Sequence, residues 1–171
     1  KRILDFVDNK NMTLSKAALN VFQEFNCRER EEASKLFFNK WSNNKIVLDS
    51  WFYFSASVES KNPIEQIETL FNHELFDKKS PNTLRSILNG YVNNNRTFHS
   101  SDGTGYKYIA EKIIKYDSLN PIVISRFLKI FSRWDFYTEP YKTEMLKAIN
   151  MIDMSNLSNN SREVINLILK K

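Results

Sequence analysis

Ser80-Pro-Asn-Thr-Leu-Arg-Ser-Ile-Leu-Asn-Gly-Tyr91 reads as the opening turns of a helix. Proline at the first helical position gives up only an N–H that a helix leaves unpaired anyway, and serine before it is a favoured cap. Leu84, Ile87, Leu88 and Tyr91 then recur three and four residues apart, on one face. The same start stands at Asn62-Pro63 and Asn120-Pro121, and Pro140, after Thr138-Glu139, fits the first turn of another helix.

Helical spacing continues in both directions. Leu14, Ala17, Ala18, Val21, Phe22 and Phe25 form one expected stripe, and Ala33, Leu36, Phe37 and Trp41 the next. Ile46-Val-Leu-Asp-Ser-Trp-Phe-Tyr-Phe54 is apolar nearly all round, so a central helix is expected there. Ile64, Ile67, Leu70 and Phe71 follow on. Beyond the glycines, stripes run through Tyr106, Ile109 and Ile113, through Val123, Phe127, Phe131 and Trp134, through Met145 and Ile149, and through Ile165 and Ile168.

Connectors such as Ser42-Asn43-Asn44 are short enough to make neighbouring helices antiparallel. About nine helices in series predict an all-α fold of antiparallel pairs stacked as an α-solenoid-like (HEAT/ARM-like) superhelical array. No clean sequence repeat accompanies the helix pattern. Residues 1–171 read as a single helical domain. The opening Lys1-Arg2-Ile3-Leu4-Asp5-Phe6 lacks Met and sits in mid-pattern, which is read as a piece of a longer protein.

The 171 residues are 42% hydrophobic and 13% aromatic, enough to build a core and to argue against disorder. With 25 Lys+Arg against 20 Asp+Glu, the net charge of +5 is mild and mixed along the chain. It is too weak to call for a nucleic-acid partner. Cys27 is the single cysteine, so no intrachain disulfide forms and a reducing, cytoplasmic location is expected. No run of about 18 apolar residues is present, and no membrane partner is expected.

The three glycines, Gly90, Gly103 and Gly105, fall in one sixteen-residue window, read as an elaborate loop. Catalytic groups are sparse. His73-Glu74-Leu75-Phe76-Asp77 opens like a zinc-protease motif but has Asp where the second His must stand. A zinc site needs at least three protein ligands, and the two histidines are far apart in sequence. His73 reads as a last-turn helix residue, His99 as a loop residue that hydrogen-bonds within the loop, and Cys27 as an inert helix-front or buried thiol. Arg28, Arg30 and Lys35, interleaved with Glu29, Glu31 and Glu32, read as a solvated helix face. Asp102 reads as the N-cap of the helix through Tyr106.

Arg85 and Arg126 stand apart. Each follows a proline-marked helix start and has apolar neighbours. Either each stem leads its guanidinium to water or to a carboxylate, or the two form a clamp for a substrate carboxylate.

Asn82-Thr-Leu-Arg-Ser-Ile-Leu88, Phe98-His-Ser-Ser-Asp-Gly-Thr-Gly-Tyr106 and Asn120-Pro-Ile-Val-Ile-Ser-Arg126 carry a family likeness. In order and spacing they resemble the C-terminal helical domain of bacterial-type aminopeptidase N, the zinc-dependent M1 aminopeptidases. Asn11-Met12-Thr13, Lys40-Trp41 and Val47-Leu-Asp-Ser-Trp51 support it. The resemblance implies that this chain is the last part of that domain, closing the active-site chamber over short peptide substrates. It implies substrate contacts by Arg85 and Arg126, and by Ile122, just after the Asn-Pro pair, as part of the lid over the first side chain. The zinc and the catalytic residues would belong to the parent's upstream catalytic domain, the chain's main partner. No catalytic residue, metal ligand or cofactor is expected in this chain, which alone should be inactive. The alternative is a free-standing HEAT-like module that binds protein or nucleic acid.

Overall fold

The computed structural model describes residues 2–170, and every regular element among them is helical. The chain divides into two compact units. One holds the chain up to Phe76 together with Asn82–Asn94, and the other holds Asp77–Pro81 and the chain from Asn95 onward.

The first unit contains α1 (Arg2–Val7), α2 (Met12–Val21), α3 (Arg28–Trp41), α4 (Lys45–Ser57), α5 (Pro63–Phe71) and α6 (Pro81–Asn93). Asn11 and Asn44 cap α2 and α4 by accepting two backbone N–H groups each, which relieves the unpaired first turn. The core gathers Val7, Leu19, Phe22, Phe37 and Phe54 from α1 to α4 and the turn after α2. Ser15 is buried in it, donating to the Val7 carbonyl and accepting from Trp41 Nε1 at 2.9 Å.

The second unit contains α7 (Asn95–Phe98), α8 (Thr104–Tyr116), α9 (Pro121–Phe127), a 3-10 segment Leu128–Phe136, α10 (Tyr141–Asn150), a 3-10 turn Met154–Asn156 and α11 (Asn159–Leu169). Helices α8, α9 and α10 bury Tyr106, Ile109, Ile113, Ile124, Met145 and Ile149. Asp117, buried at the end of α8, accepts hydrogen bonds from the Ser158 N–H, the Ser158 hydroxyl and the Ser161 hydroxyl. Three donors on one carboxylate fasten the start of α11 to α8. Trp134 Nε1 donates to the Ile168 carbonyl at 3.1 Å and holds the 3-10 segment against α11.

The prolines mark helix starts where expected, with Pro63, Pro81 and Pro121 opening α5, α6 and α9 and Pro140 just before α10. The Asn side chains before two of them do other work. Asn62 donates to Glu65 Oε2, and Asn120 donates to the Lys78 carbonyl; neither caps its helix. The α2 stripe is turned from the expected one. Ser15, Ala18, Leu19 and Phe22 point inward, whereas Leu14, Ala17, Val21 and Phe25 are exposed. A polar Ser15 with two hydrogen-bond partners, the buried Val7 and the half-buried Trp41, wins a core position that an apolar pattern assigns elsewhere. Helix α4 is central to its unit, but Ile46 in its first turn is 80% exposed. The described residues form eleven α-helices against about nine expected: α1 precedes the first expected stripe, and the glycine window is largely helical, with α6 running through Gly90 to Asn93 and α7 filling Asn95–Phe98.

Gly90 is needed for contact. A Cβ there would stand 2.5 Å from the Tyr53 carbonyl oxygen and 2.7 Å from Ala56 Cβ, so α6 lies backbone-close on α4. Asn93 Nδ2 donates to Tyr53 Oη at 2.7 Å beside the same crossing. Gly90→Ala should therefore cost about 1–3 kcal/mol by overpacking, despite alanine's better helix propensity. The check is urea unfolding, where the midpoint should fall with the slope unchanged; an unchanged midpoint would mean that α4 and α6 separate freely.

Candidate functional site

Helix α9 is short, and its start is fixed from both sides. The Asn120 carbonyl accepts from Ile124 N at 3.0 Å, while the buried Asn120 side chain is held by Lys78 at 2.9 Å. Ile124, Ser125 and Phe127 face inward. Ile122 and Arg126, four residues apart, therefore share the outward face. Ile122 is 59% exposed and Arg126 is exposed, with no side-chain hydrogen bond or ion pair among the described residues. A rigid base thus presents an apolar, χ1-restricted side chain beside an uncommitted guanidinium.

Arg85 lies on α6 in the other unit. Leu84, Ile87 and Leu88 are buried and Arg85 is exposed, its Nη2 donating to Asn82 Oδ1 at 2.8 Å. Thr83 Oγ1 donates to Asp49 Oδ1 at 2.7 Å. Burial pushes the Asp49 carboxyl up from its ordinary range, against the opposing pull of the Thr83 hydrogen bond and the Arg85 charge. Arg85 influences that carboxylate at a distance but bonds to Asn82, which leaves most of its donor fork open. Each unit presents one arginine of the expected pair.

The segment before α8 is a fixed scaffold. Gly103 has φ +72°, the left-handed conformation that suits glycine, and occupies the N-cap position itself. Asp102, expected there, sits one residue earlier and accepts from Thr104 N at 3.0 Å, and that hydrogen bond holds its carboxyl below the usual range. His99 bonds outside the loop. Its Nδ1 pairs with Tyr106 Oη of α8 at 2.7 Å, its Nε2 lies 3.5 Å from Tyr137 Oη, and its ring stacks on Tyr137. Burial lowers the His99 pKa; burial, then the nearby Tyr137 and Tyr141 phenols, pushes Tyr106 up to about 12.

Cys27 stands at the front of a helix as expected, at the N-cap of α3 without a side-chain cap bond. Two other readings of single residues change. His73 lies beyond the end of α5 rather than in its last turn, its Nδ1 accepting from Leu75 N, with its ring among Phe38, Trp51 and Phe52. Arg30 is not simply solvated: its Nη2 reaches the Glu59 carbonyl as well as Asn26, and its Nη1 is enclosed. The charge run concealed this contact, since its partner lies 29 residues away in sequence. Among the described residues no group of three His, Cys, Asp or Glu is placed to hold a metal ion.

Comparison with known proteins agrees with this architecture. The family described as "Domain of unknown function (DUF3458_C) ARM repeats" matches residues 2–170. The aminopeptidases N of Haemophilus influenzae and Escherichia coli are each 30% identical over 162 residues, covering 94% of this chain and 19% of theirs. Aminopeptidase A of Legionella pneumophila, solved in complex with aspartic acid, superposes with a TM-score of 0.86 at 28% identity, over 99% of this chain and 20% of that one. The chain belongs to this ARM-repeat family, a C-terminal domain of aminopeptidases, and its fold class is all-α and α-solenoid-like. It spans about a fifth of the length of the relatives it matches.

The His99 shift has a defined sign. Its folded pKa lies below the ordinary 6.5, so its contribution is present above that value and is lost progressively as pH falls from there through the folded pKa, because the unfolded chain takes up the proton first. Thermal midpoints should therefore drop as the pH is lowered below about 6.5, and His99→Gln should flatten that part of the profile. Identical profiles for both proteins would remove His99 as the cause.

Proposed function

We propose that this chain is the non-catalytic closing part of a zinc-dependent M1-type aminopeptidase, walling its chamber and contacting short peptides. Homology to aminopeptidases over nearly the whole chain supports the parent activity. The observation that carries the local role is the outward face of α9, where Arg126 has no partner among the described residues and Ile122 stands exposed beside it. A guanidinium in that condition can receive a peptide carboxylate or carbonyl in bidentate fashion. Arg85, held only by Asn82 and open elsewhere, offers the same chemistry from its own unit. In this reading zinc and the hydrolytic groups belong to an upstream catalytic domain. A closed chamber would restrict water and admit only short chains. The reading places the enzyme in the cytoplasm.

The test uses the whole enzyme that carries this chain. Arg126→Ala and Arg85→Ala should each lower kcat/KM about tenfold on tripeptides, which have a carboxylate to bind, and far less on chromogenic aminoacyl amides, which have none. Equal losses on both substrate types would make the arginines structural.

Ile122 concerns the first side chain instead. As an exposed apolar lid it should favour apolar first residues, and Ile122→Gln should shift the ranking of an aminoacyl amide panel toward polar ones by a few-fold. An unchanged ranking would separate Ile122 from specificity.

A further inference from the structure

The unit that holds α1–α6 contains a cleft of about 940 Å³ that the role above does not use. Its walls come from α3, α4, α5 and the irregular connection 58–62. Trp51, Phe54 and Leu70 supply an apolar floor. The Trp51 ring is fixed, with its Nε1 donating to Ser34 Oγ at 2.9 Å and the Phe38 and His73 rings tilted against it at centroid distances of 4.7 and 5.3 Å.

Arg30 forms the polar wall. Its Nη2 donates to Asn26 Oδ1 and to the Glu59 carbonyl, both at 3.1 Å and both neutral acceptors. Its Nη1 is shut off from solvent and has no hydrogen-bond partner among the described residues. A desolvated guanidinium nitrogen without an acceptor is costly, and a carboxylate is the acceptor that suits it best. Lys35 and Lys61, exposed at the rim, add positive charge; Glu31 and Glu59, also exposed in the lining, offset both, which leaves the Arg30 charge in excess.

We propose that this cleft binds a small organic carboxylate with an apolar or aromatic body, its carboxylate on Arg30 and its body on Trp51. A pocket of this size with an apolar floor and a few polar groups at its wall matches small-molecule sites in general. The carboxylate reaches the guanidinium by taking the place of the Glu59 carbonyl on it, with the middle of the 58–62 connection moving aside while Val58 N and the Asn62 carbonyl keep their bonds to Phe54 and Gln66. The inference stands independently of the aminopeptidase role.

The experiment is a titration of the whole 171-residue chain, labelled with ¹⁵N, with N-acetyl-L-phenylalanine and with its uncharged amide. The chain has three tryptophans, so three indole N–H signals are available. The Trp51 signal should shift saturably with the acid, while Trp134, bonded to the Ile168 carbonyl, stays still. The amide should bind at least about tenfold more weakly, and Arg30→Gln should abolish the difference between the two probes. Should Arg30→Gln unfold the unit, shown by collapse of the Trp41 and Trp51 signals, the exposed Lys61→Gln decides: it should weaken the acid a few-fold and leave the amide unchanged. Equal shifts with acid and amide, no shift at Trp51, or a uniform drift of all three indoles would each overturn the proposal.

Discussion

The helices of this chain run from 4 to 14 residues, and helices that short keep their hydrogen bonds only when one face is buried against neighbours. That dependence shapes the first unit most visibly where α6 lies on α4. Gly90 removes the side chain that would hold the backbones apart, and the Asn93–Tyr53 and Thr83–Asp49 hydrogen bonds pin the two helices along their length. Arg85 is exposed as a consequence, since Leu84, Ile87 and Leu88 take the buried face of the same helix.

The second unit meets the same need with polar fasteners as well as apolar contact. Asp117 ties α11 to α8 through two serines, and Asn120 ties the start of α9 to Lys78. Each replaces the water that a buried polar group would otherwise lose, so burial carries little penalty. The 3-10 segment after α9 departs from helical geometry at Arg133 and lets the chain turn while Trp134 stays anchored. Ile122 and Arg126 owe their common outward direction to this framework, because α9 has only one face left once Ile124 and Phe127 are buried.

Much of the candidate site was legible in sequence, for local reasons. Proline fixes φ wherever it stands, so the starts of α5, α6 and α9 followed from single residues. The three motifs that carry the family likeness lie on α6, the α7–α8 segment and α9, and they indicated the right relatives. What stayed hidden involved partners distant in sequence. Asn62 and Asn120 looked like caps because asparagine commonly caps, yet each side chain found a better donor role. Arg30 looked solvated because its neighbours are charged, and its contact with Glu59 exists only after α3 and the 58–62 connection meet.

By itself, then, the sequence determined the helical class, the proline-marked helix starts and the family, since periodicity, proline geometry and ordered motifs act within a few residues of chain. Tertiary structure alone decided which way α2 turns, which polar groups are buried and where the arginine of α3 points. Those outcomes rest on competition between groups for the same buried space. Ser15 prevails over Leu14 and Ala17 because two partners, Val7 and Trp41, meet it there, and those partners come together only when α1, α2 and α3 pack.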